Sequence, residues 1–341
     1  MNAPAVLSRA PNIVAPVSAM PGTGSARARA RRRLKRIDRI ADRSLYALCL
    51  AGALVAVVVI VDIAYQLLHG AHMAMSRFGL SFLTHSQWKP NFNVFGAGSL
   101  LFGTAVTSTM ALLIAAPIGI SIGLFLSMLA PRGVRSIIGP LVEMLAAVPS
   151  VILGFWGILV LGPFIQRHEP SLHRSLGFLP LFGAPQTSGA SVFTAGLILS
   201  IMVVPIIASV SRDLFMTVPR ELQDGAEALG ATSWEVVRGI VLPSTASGVA
   251  AACFLGLGRA LGEAIAVAQV IGAGTAVHAS LFQTGDTLAS RIALQFQGAT
   301  SKLHISALFY LAVVLLGIGL VTNLLAQWIG HRFDPRRLLT T

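Results

Sequence analysis

The chain has 341 residues, of which 55% are hydrophobic and 11% charged, with a mean hydropathy of +0.77. That is more apolar surface than a soluble core can hide, so a water-soluble globular protein is excluded and an integral membrane protein is implied. The formal net charge of +12 could suggest a nucleic-acid partner, but the basic residues cluster before the first apolar run and beside later ones, as they do where positive segments stay inside a membrane.

Residues 1–25 are rich in Ala, Pro, Ser and Gly, and the basic N-terminal segment 1–43 is expected to be disordered and cytoplasmic. Nine basic residues fall between Arg27 and Arg43, and the apolar run Leu45–Ile63 follows. A signal peptide has a shorter apolar region and a small-residue cleavage site, so this run reads as a permanent anchor of bilayer length. Further spans are predicted at Leu100–Leu129, Ile137–Ile165, Val192–Val210, Gly248–Gly272 and Ile305–Ile329. The fold class is therefore an all-α membrane protein with about six transmembrane helices over 44–330 and a cytoplasmic tail at 331–341. Kinks are expected near Pro117, Pro140, Pro149 and Pro205.

With the N-terminus inside, eighteen Lys and Arg lie in inside segments and six in outside loops, which sets both termini in the cytoplasm. Cys49 and Cys253 lie in apolar runs and indicate neither a disulfide framework nor a thiolate metal site. The eight histidines show no ligand spacing, and no metal or cofactor is expected.

The inside segment 211–247 carries the most local information. Pro219 suits the first turn of a helix on which Leu222, Ala226 and Leu229 share one face while Arg220, Glu221, Asp224 and Glu227 stay wet. Gly230 fits the left-handed position after that helix. Thr232 and Glu235 form a Thr-x-x-Glu capping box for a second short helix, which Pro243 is expected to end.

The next apolar span contains Arg259 and Glu263, four residues apart on one helical face. An unpaired arginine at bilayer depth costs from about 3 to 10 or more kcal/mol, so it requires a counter-ion or a watery cavity. One reading is a salt bridge that pins this span to a neighbour. The other is that Arg259 lines a translocation path and meets an anion, with Glu263 balancing its charge, since a guanidinium can hold two oxygens of an oxyanion at once. Thr104 and Ser108 share a face of the second span and are further path candidates, although span hydroxyls ordinarily bond carbonyls of their own helix. Glu143 reads as a helix-end or inter-helix hydrogen-bonding residue rather than a site residue. The glycines at 256, 258 and 262 lack the dinucleotide spacing, and there is no P-loop, so any ATP must bind another chain.

Gly230, nine residues, then Ile240-Val241-Leu242-Pro243 resembles the coupling loop of bacterial ABC-importer permeases. The Glu-Ala-Ala half of that signature is replaced by Asp224-Gly225-Ala226. The likeness extends to WKPNFNVFG (Trp88–Gly96), Gly103–Thr104, Leu112–Pro131, LVEMLAAVPSVILGFWG (Leu141–Gly157) and LGLGRALGEAIAV (Leu255–Val267), which resemble the permease of the phosphate-specific ABC importer, the PstC type more than the PstA type. The resemblance implies a type I ABC-importer fold, a PstA-like second permease, two ATPase subunits on the coupling loops, a periplasmic phosphate-binding protein, and a place in the bacterial inner membrane. It also implies that Arg259 and Glu263 lie in the phosphate path, that Asp224, Gly225, Ala226, Gly230, Ile240, Leu242 and Pro243 couple to the ATPase, and that this subunit is not itself an enzyme. Another small oxyanion such as sulfate or molybdate, a secondary anion transporter, or a membrane sensor are the alternatives that the residues leave open.

Overall fold

A computed structural model describes residues 23–186 and 188–332, with side chains between Asp42 and Gly330. The chain divides into two units, Met1–Ile63 and Ala64–Thr341. Helix α1 (Thr23–Phe78) forms the described part of the first unit and runs on into the second. Residues 23–43 are thus helical where disorder was expected: Ala, Arg and Leu are strong helix formers, and after Gly24 no glycine or proline interrupts them. The remainder of the segment expected to be disordered, residues 1–22, and the tail beyond Arg332 lie outside the described residues.

Six helices among the described residues are long and apolar enough to cross a membrane: Asp42–Phe78, Gly98–Leu129, Ser150–Leu176, Val192–Met216, Ser233–Leu261 and Lys302–Gly330. The second consists of α2 (Gly98–Leu124) and a π turn, Phe125–Leu129. Helix α3 (Arg132–Ala146) then stands apart from the third span, which joins α4 (Ser150–Trp156), a π turn at Gly157–Leu161 and α5 (Gly162–Leu176). This corrects the span predicted at 137–165. Pro149 offers no N–H to a helical ladder and disfavours helical geometry at Val148, so the chain breaks there and the crossing begins one residue later.

Helix α6 (Val192–Met216) is followed by two short helices, α7 (Arg220–Ala228) and α8 (Ser233–Val236), a π turn at Val237–Val241, and α9 (Leu242–Leu261). The span predicted at 248–272 is corrected at both ends. It starts at Ser233, and it stops at Leu261, where Gly262 and Glu263 leave the helix before the short α10 (Ile265–Val270). Pro243 does not end the helix either; it sits in the first turn of α9. All three π turns have a proline two residues beyond them: Pro131, Pro163 and Pro243. At Pro163 and Pro243, where the helix continues, the carbonyl that the ring would strike lies four residues back, inside the widened turn, which moves it aside; at Pro131 the chain is already extended. After Gly272, at φ +84°, an irregular segment leads to α11 (Leu288–Gln295) and α12 (Lys302–Arg332).

Among the described residues, the second unit has three apolar cores. The largest gathers Ala111 and Ala115 of α2, Ile198, Leu199, Val203 and Ile207 of α6, Ala260 of α9, and Ala266 and Val267 of α10. In the second, Trp88 and Phe95 pack edge to face, and Phe82 stacks on Tyr310 of α12 with ring centres 4.3 Å apart. Trp88 also donates its indole N–H to Gln295 Oε1 at 2.7 Å, so the Trp-x-Pro motif serves packing. The third joins Phe215 and Val218 to Val236, Val241 and Val249, and it supports the α7–α8 pair.

Candidate functional site

Arg259 stands in the last turn of α9, and Glu263 lies just past the break. Their closest atoms, Arg259 Nη2 and Glu263 Oε2, are 3.5 Å apart, with the arginine side chain 53% exposed and the glutamate only 5%. Glu263 Oε1 also accepts the Ala266 N–H at 3.4 Å. The carboxylate is therefore fixed by burial and backbone, while the guanidinium is anchored at one edge and open elsewhere. It opens on a groove of about 1030 Å³ between α6, α9 and α12, whose walls are mostly apolar. A cation held this way can take a second, mobile anion without leaving its fixed counter-ion.

Thr104 and Ser108 are not brought to this groove. Thr104 is buried, donates to Leu100 O at 2.7 Å and accepts the Leu288 N–H at 3.0 Å; Ser108 is buried and donates to Thr104 O at 2.6 Å. Glu143 pairs with Arg212 at 2.9 Å and ties α3 to α6, in keeping with an inter-helix role.

Beside Thr104 lies a pair that sequence reading missed. Asp286 Oδ2 and Arg291 Nη2 are 2.5 Å apart, with side chains 0% and 7% exposed. Asp286 Oδ1 accepts the Thr287 N–H at 2.8 Å and the Ser290 hydroxyl, and Arg291 donates to Ala273 O at 3.4 Å. Burial pushes the Asp286 carboxyl above its usual range, with the Arg291 charge and these hydrogen bonds pulling against it; burial likewise lowers the Arg291 guanidinium against the pull of Asp286. Gly103 completes the packing, because a Cβ there would run into the Asp286 carbonyl. The Thr287/Ser290 capping box was the available signal, but it gave no hint that Arg291 turns inward.

The α7–α8 pair keeps the caps read from sequence but not the dry face: Ala226 is part-buried, whereas Leu222 and Leu229 are exposed, because the short helix meets the core only along its Ala226 side. Thr232 Oγ1 accepts the Glu235 N–H, Glu235 Oε2 accepts the Thr232 N–H at 2.7 Å, and Gly230 has φ +90°. Ala226, Ile240 and Leu242 pack inward on the core around Phe215. Asp224 lines a cavity of about 520 Å³ with Arg135, Arg220, Gln223 and Glu227, whereas nothing stands within 4 Å of a Cβ built at Gly225. The outward apolar groups are Leu222, Leu229 and Trp234, of which sequence reading named none as a coupling residue.

Residues 115–337 match the family model described as binding-protein-dependent transport system inner membrane component. The chain is 39% identical over 302 residues to the phosphate transport system permease protein PstC of Mesorhizobium japonicum, covering 87% of this chain and 92% of that one. To the protein of the same name from Pasteurella multocida it is 43% identical over 277 residues, covering 80% and 86%. In fold it is similar to a chain of a bacterial alginate ABC transporter solved in complex with an alginate-bound periplasmic protein, with a TM-score of 0.58, 20% identity, and coverage of 88% and 97%.

Proposed function

The chain belongs to the binding-protein-dependent transport system inner membrane components, among the phosphate transport permeases of the PstC kind, and from that premise we propose that it carries inorganic phosphate across a bacterial inner membrane as one permease of an ATP-driven importer. It is a multi-pass membrane protein and a transporter subunit that is not itself catalytic. In this proposal a PstA-like permease forms the other wall of the path, two ATPase subunits grip the α7–α8 pair from the cytoplasm, and a periplasmic phosphate-binding protein delivers the anion. Both termini lie in the cytoplasm.

The supporting observation is the half-open guanidinium of Arg259, held beside a buried carboxylate at the edge of a membrane groove. Glu263 keeps the site near neutral when empty, and phosphate meets the free edge of Arg259 when the path is open. Thr104 and Ser108 act through the α2–α11 contact. Asp224 to Ala226, Gly230 and Ile240 to Pro243 set the shape of the gripped surface, and ATP binding on the partners moves it so that access alternates between the two sides.

Arg259→Gln in the co-expressed importer is the test. ATP-dependent uptake of labelled phosphate into vesicles should fall by about 100-fold, an effect of the size expected for losing a charged contact to an anion, while the partner subunits still copurify. Undiminished uptake would reject the role of Arg259, and wild-type uptake that sulfate or molybdate blocks but phosphate does not would reject the cargo.

A further inference from the structure

The groove at Arg259 has a second feature. Between Ile305 and Ile329, α12 is apolar apart from a few side chains, among them Thr322, Asn323 and Gln327. All three line the groove. Thr322 is accounted for, since its hydroxyl donates to Ile318 O at 2.9 Å. Asn323 and Gln327 are exposed, and among the described residues their amides hold no hydrogen bond. A primary amide carries two donors and an acceptor, and leaving these without partners at membrane depth costs several kcal/mol.

Their register is informative. Helices α9 and α12 contribute stretches of equal length to the groove, 248–259 and 319–330, and as consecutive spans they run in opposite directions. Gly319 therefore falls level with Arg259, and Asn323 and Gln327 follow about 6 and 12 Å further along, one and two turns toward the end that carries α7 and α8. Apart from Arg259, the opposing walls are glycine, alanine, aliphatic side chains and Phe254, which offer an anion no polar donor.

We propose that Asn323 and Gln327 are oxyanion-contacting residues of the translocation path, the two stations that receive the anion after Arg259. The proposal rests on the transport reading above and deepens it. Neutral amide donors suit these positions, because they solvate an oxyanion yet hold it less tightly than a second guanidinium would, and conduction requires release as well as capture. Arg259 captures, and the amides hand on.

The test uses the importer co-expressed with its native partner subunits and reads labelled phosphate uptake into vesicles together with subunit copurification. Asn323→Leu, which removes the donors, should lower the maximal uptake rate by about tenfold. Asn323→Asp, which keeps the size and adds a negative charge, should lower it further, and Asn323→Gln should restore most of it. Gln327→Leu and Gln327→Glu should follow the same order, with every complex intact. Wild-type rates in both Asn323→Leu and Asn323→Asp would overturn the proposal, as would loss of copurification in Asn323→Leu, which would make the amides glue between subunits. If wild-type importer carries a different oxyanion, the phosphate reading fails alone, and the same series read with that oxyanion decides the role of the amides.

Discussion

The chain places two arginine–carboxylate pairs close in sequence and gives them opposite settings. Arg291–Asp286 is sealed on both sides, close at 2.5 Å, and surrounded by the Thr287 N–H, the Ser290 hydroxyl and the Ala273 carbonyl. Arg259–Glu263 is sealed on the carboxylate side only, spans 3.5 Å, and leaves about half of the arginine side chain exposed beside a groove. Once two charges have been taken out of water, the remaining lone pairs and protons need partners, and the first pair meets part of that demand within the chain, through Asp286 Oδ1 and Arg291 Nη2, while Arg291 Nε stays buried without a hydrogen bond. The second leaves the demand partly unmet, which is what a passing anion can use. The same residue types thus make a clasp in one place and, in the proposed path, an open contact for an anion in the other.

Breaking the clasp should have the largest effect on stability. Asp286→Ala strands a buried guanidinium and is expected to cost about 3–5 kcal/mol, read as a large fall in the unfolding temperature of the purified complex. The double variant Asp286→Leu with Arg291→Met removes both charges and should recover most of the loss, because well-packed apolar groups can replace a buried pair. A single variant with unchanged unfolding would show that this pair is as open as the other one.

A smaller effect is expected at Thr104, whose hydroxyl accepts the Leu288 N–H at the start of α11. Thr104→Val leaves that buried N–H without its acceptor and should cost about 1–3 kcal/mol, with phosphate uptake per folded complex retained. Uptake abolished in a complex of normal stability would instead move Thr104 into the path. The smallest change in stability belongs to Glu263→Gln, because its partner is half exposed and such pairs contribute about 0–1 kcal/mol. Uptake should nevertheless fall, since Arg259 would lose the fixed charge that positions it; equal uptake in Glu263→Gln and wild type would remove Glu263 from the site.

The contrast between these pairs marks how far the sequence could be read. The Thr232 cap, the positive φ of Gly230 and the presence of six apolar spans rest on chemistry within a few residues, and each is visible in the chain as written. Arg259 and Glu263 were also legible, because charge inside an apolar span demands an explanation. Arg291 was not, since a cation in a hydrophilic connecting segment reads as a solvated one until the fold turns it inward against Asp286. At Pro149 the sequence announced a kink but not that the helix would stop, and the break at Gly262 was hidden because the apolar residues continue on either side of it while the helical ladder does not. Asn323 and Gln327 belong to no motif, and only the geometry of the groove sets them beside Arg259.

The interruption at Gly262 divides one charge pair between two mechanical parts. Ser233 to Leu261 carries the Thr232 cap and Trp234 at one end and Arg259 at the other, with the π turn at Val237–Val241 between them. Glu263 is not on α9; it begins the stretch that the Asp286 clasp moors at its far end. Any tilt of α9 against α10 would therefore change the 3.5 Å separation of Arg259 and Glu263 directly.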